Sequence, residues 1–171
     1  PILQPVNLKD PLFIEKLKSF QPDLFVVVAF RMLPEVVWSL PPLRTFNLHA
    51  SLLPNYRWAA PINWAIINGE TNSGVSTFYI DDKIDSGELL MQSSIELATD
   101  ETVGTLHDKL AKIGSELICQ TVKGLAEGSL SEKQQQLTGL EKLAPKLNNK
   151  NVSIDWDLSL KQIESHIRGL N

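Results

Sequence analysis

The chain has 171 residues, of which 43% are hydrophobic, enough for one domain with a real core. Sixteen basic against twenty acidic side chains leave a net charge of -4, which excludes a domain whose main affinity comes from gripping phosphates. A single cysteine, Cys119, excludes an internal disulfide scaffold and a cysteine-based zinc site, and it fits a reducing compartment, by default the cytoplasm. No apolar run approaches the roughly 18–20 residues of a membrane span, and PILQPVNLKD has neither the basic start nor the apolar centre of a signal peptide. A soluble chain with no membrane partner is expected.

Asp10 before Pro11 reads as a helix cap with proline in the first turn, and Phe13, Leu17 and Phe20 recur at helical spacing, so a short helix ends near Gln21 and Pro22. The unbroken apolar run from Leu24 to Phe30 is a strand covered on both faces, which implies a parallel sheet. Pro34 opens a brief helix through Trp38 that Pro41 and Pro42 cannot continue. Thr45 to His49 is a short strand, and Pro61 starts a helix with Ile62, Ala65 and Ile66 on one face and a stop at Asn68-Gly69. Val75 to Ile80 and Leu89 to Ile95 are two more strands, joined by the polar loop Asp81 to Gly87. After Thr99-Asp100, the apolar residues Val103, Leu106, Leu110, Ile113 and Leu117 step along one face of a long helix running to about Gly128. From Ser129 to Asn151 the composition turns polar and a crossing segment is expected, before Ser159 and Gln162 form a capping box for a final helix. The sum is an α/β fold, and with no initiating methionine and an abrupt end at Asn171 it reads as a piece of a longer chain.

The densest chemical signal is Asn47-Leu48-His49, followed by Ala50-Ser51-Leu52-Leu53-Pro54. Alternation puts Asn47 and His49 on one face of a strand end, where α/β folds open their ligand crevice. Asp85, on the next long loop, can return to the same sheet edge. An amide, an imidazole and a carboxylate together suit acyl or formyl transfer, with Asn47 and His49 stabilising an oxyanion while Asp85 orients the histidine and manages protons. No serine sits in a nucleophile elbow, no glycine-rich phosphate loop follows a strand, and three scattered histidines lack metal-ligand spacing, so no metal is expected.

The string FNLHASLLPNYRWAAPINWAIINGE, with GVSTFYIDDKIDSGELL after it, resembles the folate-dependent formyltransferases. Asn47, His49, the turn at Ser51 to Pro54, the helix start at Ala59 to Ile62 and Asp85-Ser86-Gly87 occur in that family's order and separations. Val26 to Pro34 is similar to the strand and loop lining its folate pocket. Ala144 to Leu147 and Ile154-Asp155-Trp156 resemble a segment of its tRNA-specific branch. The resemblance implies a Rossmann-like formyltransferase domain with a mostly parallel sheet flanked by helices, followed by a linker and a final helix. It implies a catalytic domain over residues 1–128, incomplete at its N-terminal side, and a segment at 129–171 leading to a further domain. It also implies transfer of a formyl group from 10-formyltetrahydrofolate to the amine of methionyl-tRNA, which would be bound largely through parts outside this chain.

On that basis Asn47, His49 and Asp85 carry the catalytic trio. Arg31, Met32 and Leu33, with Ser51, Leu52 and Pro54 and with Asp81 and Ile84, hold the folate. Formyl transfer to glycinamide ribonucleotide or an amino sugar, hydrolysis of formylfolate, and a folate-binding module without activity would use the same trio. Trp58 and Arg44 stand where the family usually has glycine, the residue for positive φ or a close backbone approach. The proline closing the Ser51 to Pro54 turn makes Leu53-Pro54 a candidate cis bond.

Overall fold

The computed structural model describes residues 1–29 and 31–171, so Phe30, assigned from sequence to the end of the first strand, lies outside the described residues. In chain order the elements are α1 (Pro11–Ser19), β1 (Phe25–Val28), α2 (Glu35–Trp38), β2 (Thr45–His49), α3 (Pro61–Ile67), β3 (Asn72–Tyr79), β4 (Leu89–Glu96), α4 (Val103–Ala126) and α5 (Leu160–Arg168). The local signals act where expected. Asp10 caps α1 by accepting from the Leu12 N–H at 2.9 Å. Pro61 opens α3, and Gly69 follows it at φ 66°. Thr102 and Thr105 form a reciprocal box at the start of α4, as Ser159 and Gln162 do for α5. Among the described residues no helix is long and apolar enough to cross a membrane.

The sheet has the order β1-β2-β3-β4. The α/β class and the helix-flanked sheet stand, but the strand directions are mixed: β1 and β2 run parallel, while β2–β3 and β3–β4 run antiparallel. The sequence predicts mostly parallel strands, and the difference between β3 and β4 has a simple cause. The loop from Tyr79 to Leu89 is shorter than the crossover of about a dozen residues or more that a parallel pair requires.

Helix α4 lies over β3 and β4 and supplies the core. Leu106, Leu110 and Leu117 pack with Val75 and Ile66, and farther along Ile118, Val122 and Leu125 cover Phe46, Tyr79 and Leu90. A Cβ at Gly114 would come within 2.8 Å of Leu48 Cδ2, so glycine lets the helix lie this close to the sheet. Thr77 of β3 also faces α4, with its hydroxyl 2.9 Å from that of Thr121. At the edge of the sheet α4 no longer reaches. Val26 and Val28, which share the face of Phe46 and Leu48, are 42% and 52% exposed, so β1 is covered on one face where its unbroken apolar run predicts two.

The opposite face of β3 is closed by chain rather than helix. The Ser76 hydroxyl donates to the Ser51 carbonyl at 2.6 Å and accepts from the Leu53 N–H at 3.0 Å and from Gln92 Nε2 at 2.8 Å. One buried hydroxyl thus pins the loop after β2 onto the sheet. Ser76→Ala leaves the Ser51 carbonyl and the Leu53 N–H without this partner at two buried residues, a loss of about 2 kcal/mol, so the thermal midpoint should fall by about 4–8 °C. An unchanged midpoint would show that the loop is held by something else.

Candidate active site

Register and alternation place Asn47 opposite Phe78 and His49 opposite Ser76, on the face away from α4. His49 is buried, and its ring stands edge-on to that of Phe78, with 6.5 Å between centroids and 86° between planes. Its Nε2 lies 2.8 Å from the Tyr56 carbonyl oxygen. A carbonyl only accepts, so Nε2 carries the proton and Nδ1 is left to face Asp85, 3.9 Å from Oδ2. That spacing is too long for a hydrogen bond, and it is an ion-pair distance only when Nδ1 is protonated as well. Among the described residues the Asn47 amide has no hydrogen-bond partner, so its donors are open to a ligand.

Asp85 arrives by an indirect path. The loop leaves β3 where Tyr79 pairs with Phe46 and the Ile80 N–H meets the Thr45 carbonyl, at the far end of β2 from His49. It must therefore fold back across the sheet face to bring Asp85 to His49. Asp81 helps close the loop, accepting from Ser86 Oγ at 2.8 Å and from the Lys83 N–H at 3.0 Å. Gly87 allows the return, because a Cβ there would overlap the Tyr79 carbonyl oxygen. Asp85 itself sits at φ 53°, a region aspartate tolerates better than most residues.

The group that secures the Asp85 carboxylate is a backbone one: the Trp58 N–H donates to Oδ2 at 2.8 Å. Sequence reasoning did not name this donor, but the glycine preference at position 58 was its signal. Trp58 has φ 91°, and Arg44, the other departure, has φ 67°. Both positions adopt the backbone that glycine tolerates best, here occupied by large side chains. Arg44 gains compensating contacts, with its guanidinium 3.7 Å from the Tyr79 ring centroid and 3.2 Å from Glu88.

The other residues expected at the site occupy three loops. Arg31, Met32 and Leu33 follow β1, and the Arg31 guanidinium donates to the Pro5 carbonyl at 2.8 Å and the Val6 carbonyl at 3.3 Å. Ser51, Leu52 and Pro54 form the turn after β2, where the Ser51 hydroxyl donates to the Asn55 carbonyl at 2.7 Å and the Leu53-Pro54 bond is cis. Asp81 and Ile84 lie on the Asp85 loop, with Ile84 and Met32 both exposed.

Tyr56, whose backbone carbonyl accepts the hydrogen bond from His49 Nε2, is held from several directions. Its N–H donates to the Lys142 carbonyl at 2.6 Å, its hydroxyl donates to Glu70, and Asn68 Nδ2 reaches that hydroxyl at 3.2 Å. Burial, with Glu70 beside it, pushes the Tyr56 hydroxyl well above its ordinary range. Burial acts to raise Glu70 as well, but hydrogen bonds from Lys142 and Tyr56 and the Lys142 charge at 2.6 Å outweigh it and hold the carboxyl below its usual value. A depressed carboxylate contributes its stability above its unfolded pKa and loses it as pH falls through the folded one. Glu70→Gln should therefore lower the thermal midpoint by about 2–4 °C near pH 7, and the gap should close toward about pH 3. A gap that does not change with pH would contradict the pairing.

Trp58 offers a second test, because glycine relieves a positive φ and alanine does not. Trp58→Gly should melt about 2–4 °C above Trp58→Ala, about 1 kcal/mol. Equal midpoints would show that the backbone at 58 stores no strain.

A family model described as Formyl transferase matches residues 2–122. The methionyl-tRNA formyltransferase of Flavobacterium johnsoniae is 53% identical over 170 residues, which cover 99% of this chain and 54% of that protein, so the chain spans about half the length of the curated relatives it matches. Among solved structures, the N-formyltransferase from Helicobacter canadensis in complex with folinic acid and dTDP-3-aminofucose aligns with a TM-score of 0.66 at 24% identity, covering 72% of this chain and 46% of that one. HypX from Aquifex aeolicus in complex with tetrahydrofolic acid aligns with a TM-score of 0.76 at 18% identity, covering 91% and 27%. These structural likenesses show a shared fold. With the family match extending from the first loop through most of α4, the chain belongs to the formyl transferase family.

Proposed function

We propose that this chain carries the catalytic centre for moving a formyl group from 10-formyltetrahydrofolate to the α-amine of methionyl-tRNA, in the cytoplasm. The observation that carries the choice of acceptor is the 53% identity, along the whole chain, to a relative named for that reaction. The folate is supported by two proteins of the same fold whose structures contain folinic acid and tetrahydrofolic acid.

The residues fit a folate in a particular way. Ser51 and Asp81 are committed to their own loops, so they shape the walls, while backbone groups of the loops at 31–33 and near Ile84 would meet the edge of a heteroaromatic ring. Exposed Met32 and Ile84 offer apolar cover, with Leu52 and Pro54 closing the turn. The co-substrate supplies the formyl carbon, bonded to N10. As the acceptor nitrogen bonds to that carbon, Asn47 donates from its amide to the formyl oxygen, where negative charge develops, and His49, whose Nε2–H is held by the Tyr56 carbonyl, donates to it from Nδ1 when that nitrogen carries a proton. Asp85, aligned by the Trp58 N–H, takes the proton from the attacking amine through water. As the bond to N10 breaks, that proton passes to N10, leaving the formylated amine and tetrahydrofolate.

The test is a formyl-transfer assay from 10-formyltetrahydrofolate, with methionyl-tRNA and a nucleotide amino sugar as competing acceptors. Methionyl-tRNA should be preferred, and preference for the sugar would move the chain to another branch. In the same assay Asn47→Ala and His49→Ala should each lower kcat by about two to three orders of magnitude with little change in folate affinity. Normal turnover in either variant would sink its assignment.

A further inference from the structure

We propose that Gln135, in the segment after α4, is a positioning residue that locks the Asp85 loop to the Arg57-Trp58 loop and so sets the catalytic carboxylate against His49. This rests on the proposed role of Asp85.

The Gln135 side chain is half-buried between the two loops. Its Oε1 accepts from Arg57 Nη2 at 2.6 Å and from Arg57 Nε at 3.2 Å. Its Nε2 donates to the Gly87 carbonyl at 2.8 Å and to the Asp85 carbonyl at 3.0 Å. A primary amide has two lone pairs and two N–H groups, and here all four are used. The partners fix the orientation of the amide, since a guanidinium only donates and a carbonyl only accepts. The bridging group must accept on one side and donate twice on the other. A carboxylate lacks the donors, an ammonium lacks the acceptor, and asparagine is one methylene shorter.

The backbone brings Gln135 to this place. Leu89 and Lys133 exchange two hydrogen bonds, 2.8 and 2.9 Å, so the chain passes beside the end of the Asp85 loop two residues before Gln135. Farther on, the Ala144 N–H donates to the Arg57 carbonyl at 2.9 Å. Arg57 is thus gripped at backbone and side chain, and Trp58, whose N–H aligns the carboxylate, is the next residue. Asp85 is held by its carbonyl through Gln135 and by its carboxylate through Trp58. A residue at positive φ, on a loop folded back over the sheet, needs such a tie to keep one geometry. An error of about 1 Å in a proton acceptor is enough to lower a rate by about 100-fold.

The test uses the full-length protein with Gln135→Met, which removes all four bonds, and Gln135→Glu, which keeps Arg57 but faces two carbonyl oxygens with a carboxylate. Gln134→Met is the neighbouring control. Hydrogen exchange at the Trp58 amide, followed by NMR, reads the tie without reference to activity and should quicken by about tenfold in both variants and not in the control. In both variants kcat should fall by about 10–100-fold, with KM for the folate within about threefold and the thermal midpoint within about 4 °C. Unchanged Trp58 exchange overturns the proposal. So does an unchanged kcat, or a loss of kcat that appears only with collapse of the midpoint. If the parent protein transfers no formyl group, the functional reading fails instead, while the exchange rates still decide whether Gln135 ties the two loops.

Discussion

The site depends on one hydrogen bond, from the Trp58 N–H to the Asp85 carboxylate. Antiparallel pairing delivers the loop after β3 to the end of β2 opposite His49, so Asp85 can meet the histidine only if the loop folds back over the sheet. Such a loop has no ladder of its own to hold it. Its position comes from point attachments: the Trp58 amide, the Gln135 side chain, the Asp81 closure and the close contact that Gly87 permits. No one of these attachments is strong, since a typical intramolecular hydrogen bond adds about 0.5–1.5 kcal/mol, and together they select one loop geometry among many.

The same arrangement explains why the backbone is strained where it is. Tyr56, Trp58 and Asp85 all have positive φ, and all three touch the His49-Asp85 pair: Tyr56 through its carbonyl, Trp58 through its N–H, and Asp85 through its own carboxylate. Turning the chain left-handed at these residues points backbone polar groups inward at the two side chains. The cost, of order 1–3 kcal/mol per residue, is offset by the Tyr56-Glu70-Lys142 cluster on one side and the Gln135 bridge on the other.

Much of this was legible in the chain, for local reasons. Caps and prolines act within a turn of themselves, so the starts of α3 and α5 and the limits of β2 follow from Pro61, from Ser159 with Gln162, and from the run Thr45 to His49. Alternation alone put Asn47 and His49 on one face. The loop after β3 suggested Asp85, which the family resemblance supported, and the absence of glycine at 44 and 58 marked two of the positions where the backbone is left-handed. What could not be read is what tertiary packing decides. The apolar run of β1 suggests cover on both faces, but α4 does not extend as far as Val26 and Val28. Strand direction in β3 and β4 depends on loop length rather than on strand residues. The polar stretch around Gln135 carries no periodic signal, because it binds through scattered hydrogen bonds and adds no regular element.

If His49 and Asp85 work as a pair, their contributions to the reaction cannot be independent. The most direct measurement is a double-mutant cycle on kcat for formyl transfer, with His49→Ala, Asp85→Ala and both together. The structure predicts that the double variant is about as slow as the slower single variant, since removing either side chain already dismantles the unit. Losses that multiply, so that the double variant is slower by the product of the two single effects, would contradict a shared role for the residues that stand 3.9 Å apart at the centre of this fold.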